Sequence, residues 1–474
     1  MKTLKDFIKN NYEYLNLGII AIMLVLACFF DAFSVVVLLY MLFVSFVLNT
    51  EQILKMQILA LMFARCYTVG DYYIHFYQLI FIFGLIKNFV ADIVIRKKKI
   101  NWKVFLVVCL LILYIWLFPT HKVDGLTLML TISSILTLYF AYEARENLHF
   151  VGLIKMFCYS ILFSAFISLF ISYSDKLKSF KDFYYFEDTL RFSGLLWHPN
   201  DFSDQVTVAI SMLFALKLYD KISVPEFLIL VWLLFIFGYK TLSRSFILIV
   251  IIEILIFSFL YIKKYGAKEL KFVFGLIAIL LATCLLFGKE TNLMIYRVEN
   301  PNEKILFEAM KENVLVNEKD GLSPEDYLHA IYRGDTYYDP GRIGLWTLYL
   351  KRIFMTPMSA IFGYGISAPD IGRLHAHNYL LYYVYHHGIV GLFIGTVLLL
   401  LLIDWKKLKN YKNYFGLAMI MMAYVGVILL NCNRLDNTAN VVLLAGMAFI
   451  NSDKYRVFSK SDKRDKFELL LKVY

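Results

Sequence analysis

The side chains best suited to chemistry in this 474-residue sequence are a few arginines and histidines in segments punctuated by glycine and proline. Arg191 and Asn200 bracket Arg191-Phe192-Ser193-Gly194 and His198-Pro199-Asn200, Arg244 follows Ser243, Arg342 precedes Trp346 by one helical turn, and His375-Ala376-His377-Asn378 comes after Gly363-Tyr364-Gly365. Arginine keeps its charge and presents a planar fork of donors that matches oxyanions. Histidine exchanges a proton near neutral pH and so serves as a general base. Taken singly, each residue also has a plainer reading. An arginine at a helix end anchors at an interface, Arg342 stacks on Trp346, Pro199-Asn200-Asp201 starts a helix, and His377 is an interfacial side chain with its hydrogen bonds met. What decides between the readings is whether the chain brings the set to one place.

Two further polar features call for the same weighing. Four of the nine histidines stand at 375, 377, 386 and 387, but a helix offers metal ligands at i, i+3 or i, i+4. The spacings here are i, i+2 and i, i+1, which argues against a metal site. Glu253 lies inside an apolar run, where an ionisable group is costly; it is either functional or a packed, protonated or hydrogen-bonded acid. The six cysteines are scattered without paired spacing, so neither a disulfide framework nor a zinc site is indicated.

The elements that must position these residues are membrane helices. Sixty per cent of the residues are hydrophobic and only 18% are charged, with a mean hydropathy of +0.64, far from a soluble mixture. Runs near the length of a bilayer-spanning helix, about 20 residues, recur at 14–30, 32–49, 53–66, 72–94, 103–119, 125–143, 150–173, 201–218, 223–240, 243–263, 270–288, 378–404, 411–431 and 438–450. The fold class expected is an all-α polytopic membrane protein of about 14 transmembrane helices. The first run lacks a cleavage-type site and reads as a retained span rather than a signal peptide.

The net charge of +11 follows from where the cations lie. Lys and Arg gather before residue 14, from Arg96 to Lys103, over 263–271 and 406–412, and after 450, in alternate connections. The positive-inside rule then places both termini in the cytoplasm. The expected organisation is helices over 1–288, a large, partly helical extracytoplasmic loop over 289–377 between the eleventh and twelfth spans, further helices over 378–450, and a basic tail over 451–474. Within the loop, 305–314 and 323–333 have helical periodicity, and a helix from Pro340 to about Thr356 puts Arg342, Trp346, Leu350 and Phe354 on one stripe. With this topology Arg191, Arg244, Arg342, His375 and His377 all fall on the extracytoplasmic face.

That ordered set resembles the bacterial O-antigen ligase and Wzy-type polysaccharide polymerase superfamily. The resemblance covers about residues 190–430. It rests on the Arg-x-x-Gly and Pro-Asn segment (191–200), Ser243-Arg244, Arg342-x-x-x-Trp346, Gly363-Tyr364-Gly365, His377-Asn378-x-Leu380 and Gly388-x-x-Gly391. It implies an inverting, metal-independent glycosyltransferase of the bacterial cytoplasmic membrane, without a cofactor, acting on undecaprenyl-diphosphate-linked oligosaccharides. By the same resemblance, Arg244 and Arg342 clamp the diphosphate as charge develops, His377 takes the acceptor proton, and Arg191, Trp346, Asn200, Asn378 and His375 bind substrate. Asp335 and Asp339, four residues apart, flank a Tyr-Tyr turn and read as turn and cap residues. The implied partners are the lipid-linked donor and acceptor, the bilayer, and a flippase and chain-length regulator of the same pathway, with no nucleic acid. A repeat-unit polymerase is favoured by a composition rich in Phe, Tyr, Ile, Lys and Asn. An O-antigen ligase shares the motifs, and a lipid-linked oligosaccharide flippase is the reading from another class. Gly388 and Gly391 are expected to form a small-residue face for a neighbouring helix.

Overall fold

The computed structural model describes residues 2–63, 68–69, 72–73, 76–118, 125–171, 185–186, 189–196, 198–299, 341–365 and 378–402. The helices are α1 (Lys2–Ala27), α2 (Asp31–Ser45), α3 (Thr50–Leu61), α4 (Phe76–Val94), α5 (Trp102–Leu117), α6 (Gly125–Ala144), α7 (Phe150–Ile171), α8 (Pro199–Leu218), α9 (Val224–Tyr239), α10 (Arg244–Tyr265), α11 (Leu270–Leu286), α12 (Gly288–Glu299), α13 (Gly341–Ile353), α14 (Pro357–Phe362) and α15 (Tyr379–Leu402). Two antiparallel pairs of two-residue strands, β1–β2 (Thr68–Val69, Tyr72–Tyr73) and β3–β4 (Tyr185–Phe186, Thr189–Leu190), are the strands among the described residues. The apolar runs at 411–431 and 438–450, the periodic segments at 305–314 and 323–333, and the tail lie outside the described residues.

Local sequence sets the helix ends. Asn49 accepts from the Gln52 amide while the Gln52 side chain accepts from the Asn49 amide, a reciprocal cap that starts α3. His198 Nδ1 accepts from the Asn200 amide at 3.0 Å, with Pro199 in the first helical position of α8. Gly266, at φ 92°, stops α10.

One continuous core joins α1–α11 and α15. α2 packs on α1 and α4, α3 on α4 and α7, and α6 on α4 and α5. α8 is enclosed by α7, α9 and α10, and α15 lies along α5. Among the described residues, four segments, Val151–Phe170, Arg244–Tyr265, Ala267–Leu286 and Leu380–Leu402, are long and apolar enough to cross a membrane. Five more are apolar but shorter. α3, with 12 residues, reaches only about 18 Å against a hydrocarbon core of about 30 Å.

The outward faces support the same class. On α11, Leu285, Leu286 and Phe274 are 83%, 77% and 64% exposed, and on α2 Phe43 is 71% exposed. Apolar surface this extensive is unfavourable against water and matched to lipid. These features fit an α-helical membrane protein.

Candidate functional site

Arg191 follows the β3–β4 hairpin, and its guanidinium joins two helix starts. Nε donates to the Thr241 carbonyl at 2.9 Å, and one terminal nitrogen donates to Asn200 Oδ1 at 3.0 Å. Thr241 lies in the turn before α10, and Asn200 is in the first turn of α8. The Phe192 amide adds a bond to the Lys240 carbonyl at 3.0 Å. Gly194 has φ 57°, and a Cβ there would stand 2.7 Å from the Phe202 ring. The glycine of the Arg-x-x-Gly segment therefore lets the chain fold back onto α8.

The α9–α10 turn is itself rigid. Thr241 Oγ1 donates to the Gly238 carbonyl at 2.6 Å and accepts from the Ser243 amide at 3.2 Å. Ser243 and Ser245 hydroxyls are 2.9 Å apart. Between Thr241 and Ser243, fully buried Leu242 adopts φ 53°, a left-handed conformation that a branched residue holds only when its surroundings impose it. Leu242 packs on Leu293 of α12, which is also stitched to the end of α9 by Tyr239 to Thr291 (2.7 Å) and Lys240 to Glu290 (3.4 Å).

Arg244 occupies the first position of α10 and is half-buried. A cation there opposes the positive end of the helix dipole. Its placement is poor for helix stability and good for attracting an anion. The starts of α8 and α10, two helices of 20 and 22 residues, thus lie together with Arg191 and Arg244. Helix N-termini and arginine forks both favour oxyanions.

The second set of sequence-derived residues lies on α13–α15. Arg342 is in the first turn of α13, its side chain outside the described residues; Trp346 is half-buried. Leu345, Leu348, Tyr349 and Ile353 form the packed face with Tyr364 and Tyr385. The stripe that continues from Trp346 points the other way, with Leu350 42% and Phe354 63% exposed. Asn378 Oδ1 accepts from the Leu381 amide at 3.1 Å, so this residue caps α15. His375 and His377 lie outside the described residues.

Sequence reasoning passed over the most unusual backbone in this half. α15 is broken at Gly388, where φ is 62° and ψ −176°. A helix interrupted there cannot close its i to i+4 bonds across the break, and the carbonyls of residues 385–387 need other donors. They have them. Tyr364 and Gly365 amides donate to the Tyr385 and His386 carbonyls, both at 2.8 Å, and the Tyr114 hydroxyl of α5 donates to the His387 carbonyl at 2.7 Å. His386 Nδ1 is 2.6 Å from the Gly365 carbonyl, which can only accept, so Nδ1 carries the proton. Gly363-Tyr364-Gly365 is therefore a clasp in the opened helix.

Gly388 does admit a close helix neighbour, as its spacing with Gly391 had indicated, but the neighbour is the short helix α14 and the same glycine carries the break. A Cβ on Gly388 would lie 2.2 Å from the Ile361 carbonyl oxygen, and one on Gly363 would lie 2.5 Å from the Gly388 amide nitrogen. Gly391 does permit close approach, since its Cβ would be 3.0 Å from the Tyr114 ring. The signal for the break was present in sequence: two histidines and a glycine interrupting an apolar run. Its partner 21 residues earlier was not readable from spacing.

The structure thus unites Arg191, Asn200 and the turn that bears Arg244, and places Trp346 on α13 and Asn378 at the start of α15. Among the described residues no three His, Cys, Asp or Glu side chains converge to hold a metal ion. No protein-family model matches this sequence, and comparison with curated proteins finds no match.

Proposed function

We propose that the protein is a membrane glycosyltransferase that polymerises undecaprenyl-diphosphate-linked oligosaccharide repeat units into a surface polysaccharide, capsular or O-antigen-type. The observation that carries this reading is the convergence of Arg191 and the Arg244 turn on the starts of α8 and α10. Breaking a glycosyl diphosphate leaves charge on phosphoryl oxygens, and a cationic, rigid, dipole-assisted end of a helix bundle is suited to receive it. Arg244 and Arg342 bind the diphosphate in this scheme, Arg191 orients the platform and contributes charge, and His377 takes the proton of the acceptor hydroxyl as the new bond forms. Asn200, Trp346, Asn378 and His375 complete the substrate surface. The transfer is inverting and uses no metal.

The scheme includes about 14 spans, both termini in the cytoplasm and the site on the outer face of a bacterial cytoplasmic membrane. Its partners are the lipid-linked donor and acceptor, a flippase and a chain-length regulator. The same motifs serve an O-antigen ligase, and a flippase is the reading from another class.

One experiment separates the three. Arg244, Arg342 and His377 are each replaced by alanine in the native host, with expression verified, and lipid-linked and surface glycans are resolved by length. The polymerase reading requires single repeat units to accumulate. A normal ladder of unattached lipid-linked polymer identifies a ligase. Repeat units trapped on the cytoplasmic leaflet identify a flippase.

A further inference from the structure

The interior of α8 is polar along one stripe, of which the proposed transfer uses only the Asn200 end. Asn200, Asp204, Thr207 and Ser211 are spaced i, i+4, i+7 and i+11. At about 100° per residue they share an arc of roughly 60°. Asp204, Thr207 and Ser211 are 2%, 1% and 0% exposed. The stripe begins at Asn200, which Arg191 holds. It ends beside Glu253 of α10, whose neighbouring polar group is the Ser211 hydroxyl.

The depths agree. Arg191 ties together the starts of α8 and α10, which run side by side in the same direction. Ser211 then lies about 16 Å along α8 from Asn200, and Glu253 about 13 Å along α10 from Arg244. Glu253 is fully buried, and neither carboxyl oxygen makes a well-formed hydrogen bond.

Among the described residues, no cation stands at that depth to offset an ionised carboxylate. The charged groups on the elements packed around it are Asp201, Asp204 and Lys217 on α8, Glu226 and Lys240 at the two ends of α9, Arg244, Lys263 and Lys264 at the two ends of α10, and Lys268 and Glu269 in the following turn. All but Asp204 are near helix ends, and Asp204, about 10 Å from Ser211 along α8, is itself an acid. An isolated charge in such surroundings costs far more than the neutral acid does.

We propose that Glu253 is a buried proton-exchange site, a neutral carboxylic acid whose proton is replaced from the Arg191 end of the bundle along the Asn200–Asp204–Thr207–Ser211 stripe. In each exchange one proton reaches the carboxyl group as another leaves it, so no net charge remains in the interior. The inference is independent of the glycosyl-transfer reading.

The test is infrared difference spectroscopy of the full-length protein in lipid bilayers. Wild type should show the carbonyl stretch of a protonated carboxylic acid, and Glu253→Gln should lose it. If Glu253→Gln does not accumulate as folded protein, Glu253→Asp serves, moving the band rather than removing it. Transfer into deuterated buffer should shift the band, and Thr207→Val or Ser211→Ala should slow that shift about tenfold, the effect of raising one barrier by about 1.4 kcal/mol. A band unaffected by either Glu253 variant overturns the neutral acid. Exchange at the wild-type rate in both α8 variants overturns the route. Loss of the wild-type band on adding sodium chloride at fixed pH overturns the proton in favour of a metal cation.

Discussion

The two halves that carry the candidate residues are held in opposite ways. At the starts of α8 and α10 the joint is a side chain: the Arg191 fork bonds one backbone carbonyl and one side-chain amide. At the opened α15 the joint is largely backbone, with the Tyr364 and Gly365 amides answering the Tyr385 and His386 carbonyls. A side-chain joint depends on the chemistry of one residue. A backbone joint depends on the absence of side chains at its closest approach. The first can therefore be weakened by degrees, whereas the second should fail abruptly.

Gly388→Ala is the most severe way to break the comparison. The backbone at φ 62° and ψ −176° is essentially restricted to glycine and costs about 1–3 kcal/mol for other residues. The new Cβ would also stand 2.2 Å from the Ile361 carbonyl oxygen, with backbone on both sides and no flexible end to yield. The expected outcome is loss of monodisperse protein on size-exclusion chromatography. Gly275→Ala, where a Cβ meets nothing within 4 Å, is the control and should elute as wild type. A monodisperse Gly388→Ala of unchanged thermal stability would show that the clasp tolerates an ordinary helix.

Arg191 should show the graded behaviour. Arg191→Ala removes both bonds of a charged donor and should cost about 2–3 kcal/mol, read as a lower midpoint of thermal unfolding in detergent. Arg191→Lys keeps the charge but has no planar fork, and should recover less than half of that loss. Full recovery by lysine would mean that charge alone, rather than the bridge between two helix starts, is what the position supplies.

The same contrast explains what was legible in the sequence. Apolar runs foretold α1–α11 and α15 because burial or lipid contact is written in composition, and Asp339-Pro340 foretold the start of α13. Arg191, Asn200 and Arg244 were legible because charged and amide side chains next to helix starts are conspicuous. The close approach at Gly388 was legible in its spacing with Gly391, but the break there was not, because the sign of φ leaves no periodicity. The outward stripe on α13 was seen, but its orientation depended on Tyr364 and Tyr385, which arrive from distant segments. The length of α3 was overestimated because an apolar run does not state where the backbone turns.

Tyr114→Phe sharpens the comparison at its finest scale, since it removes one hydroxyl and leaves the ring. That hydroxyl donates to the His387 carbonyl at 2.7 Å, with the Phe362 carbonyl at 3.2 Å. Beside His386 Nδ1 on the Gly365 carbonyl, it is a side-chain contribution to a joint made largely of backbone. The ring should stay in place through its stacking with Phe118, at a centroid distance of 5.5 Å, so the change isolates the bond. Leaving a buried carbonyl without its donor costs about 1–3 kcal/mol, the lower end applying here because the neighbouring amide bonds persist. The expected global effect is a small drop in thermal midpoint. The local effect should be larger: faster hydrogen exchange over 386–391 than over α8, because the opened segment fluctuates before the bundle does. Equal exchange in wild type and Tyr114→Phe would mean that the two amide bonds from Tyr364 and Gly365 hold the break unaided, and that α5 contributes packing alone.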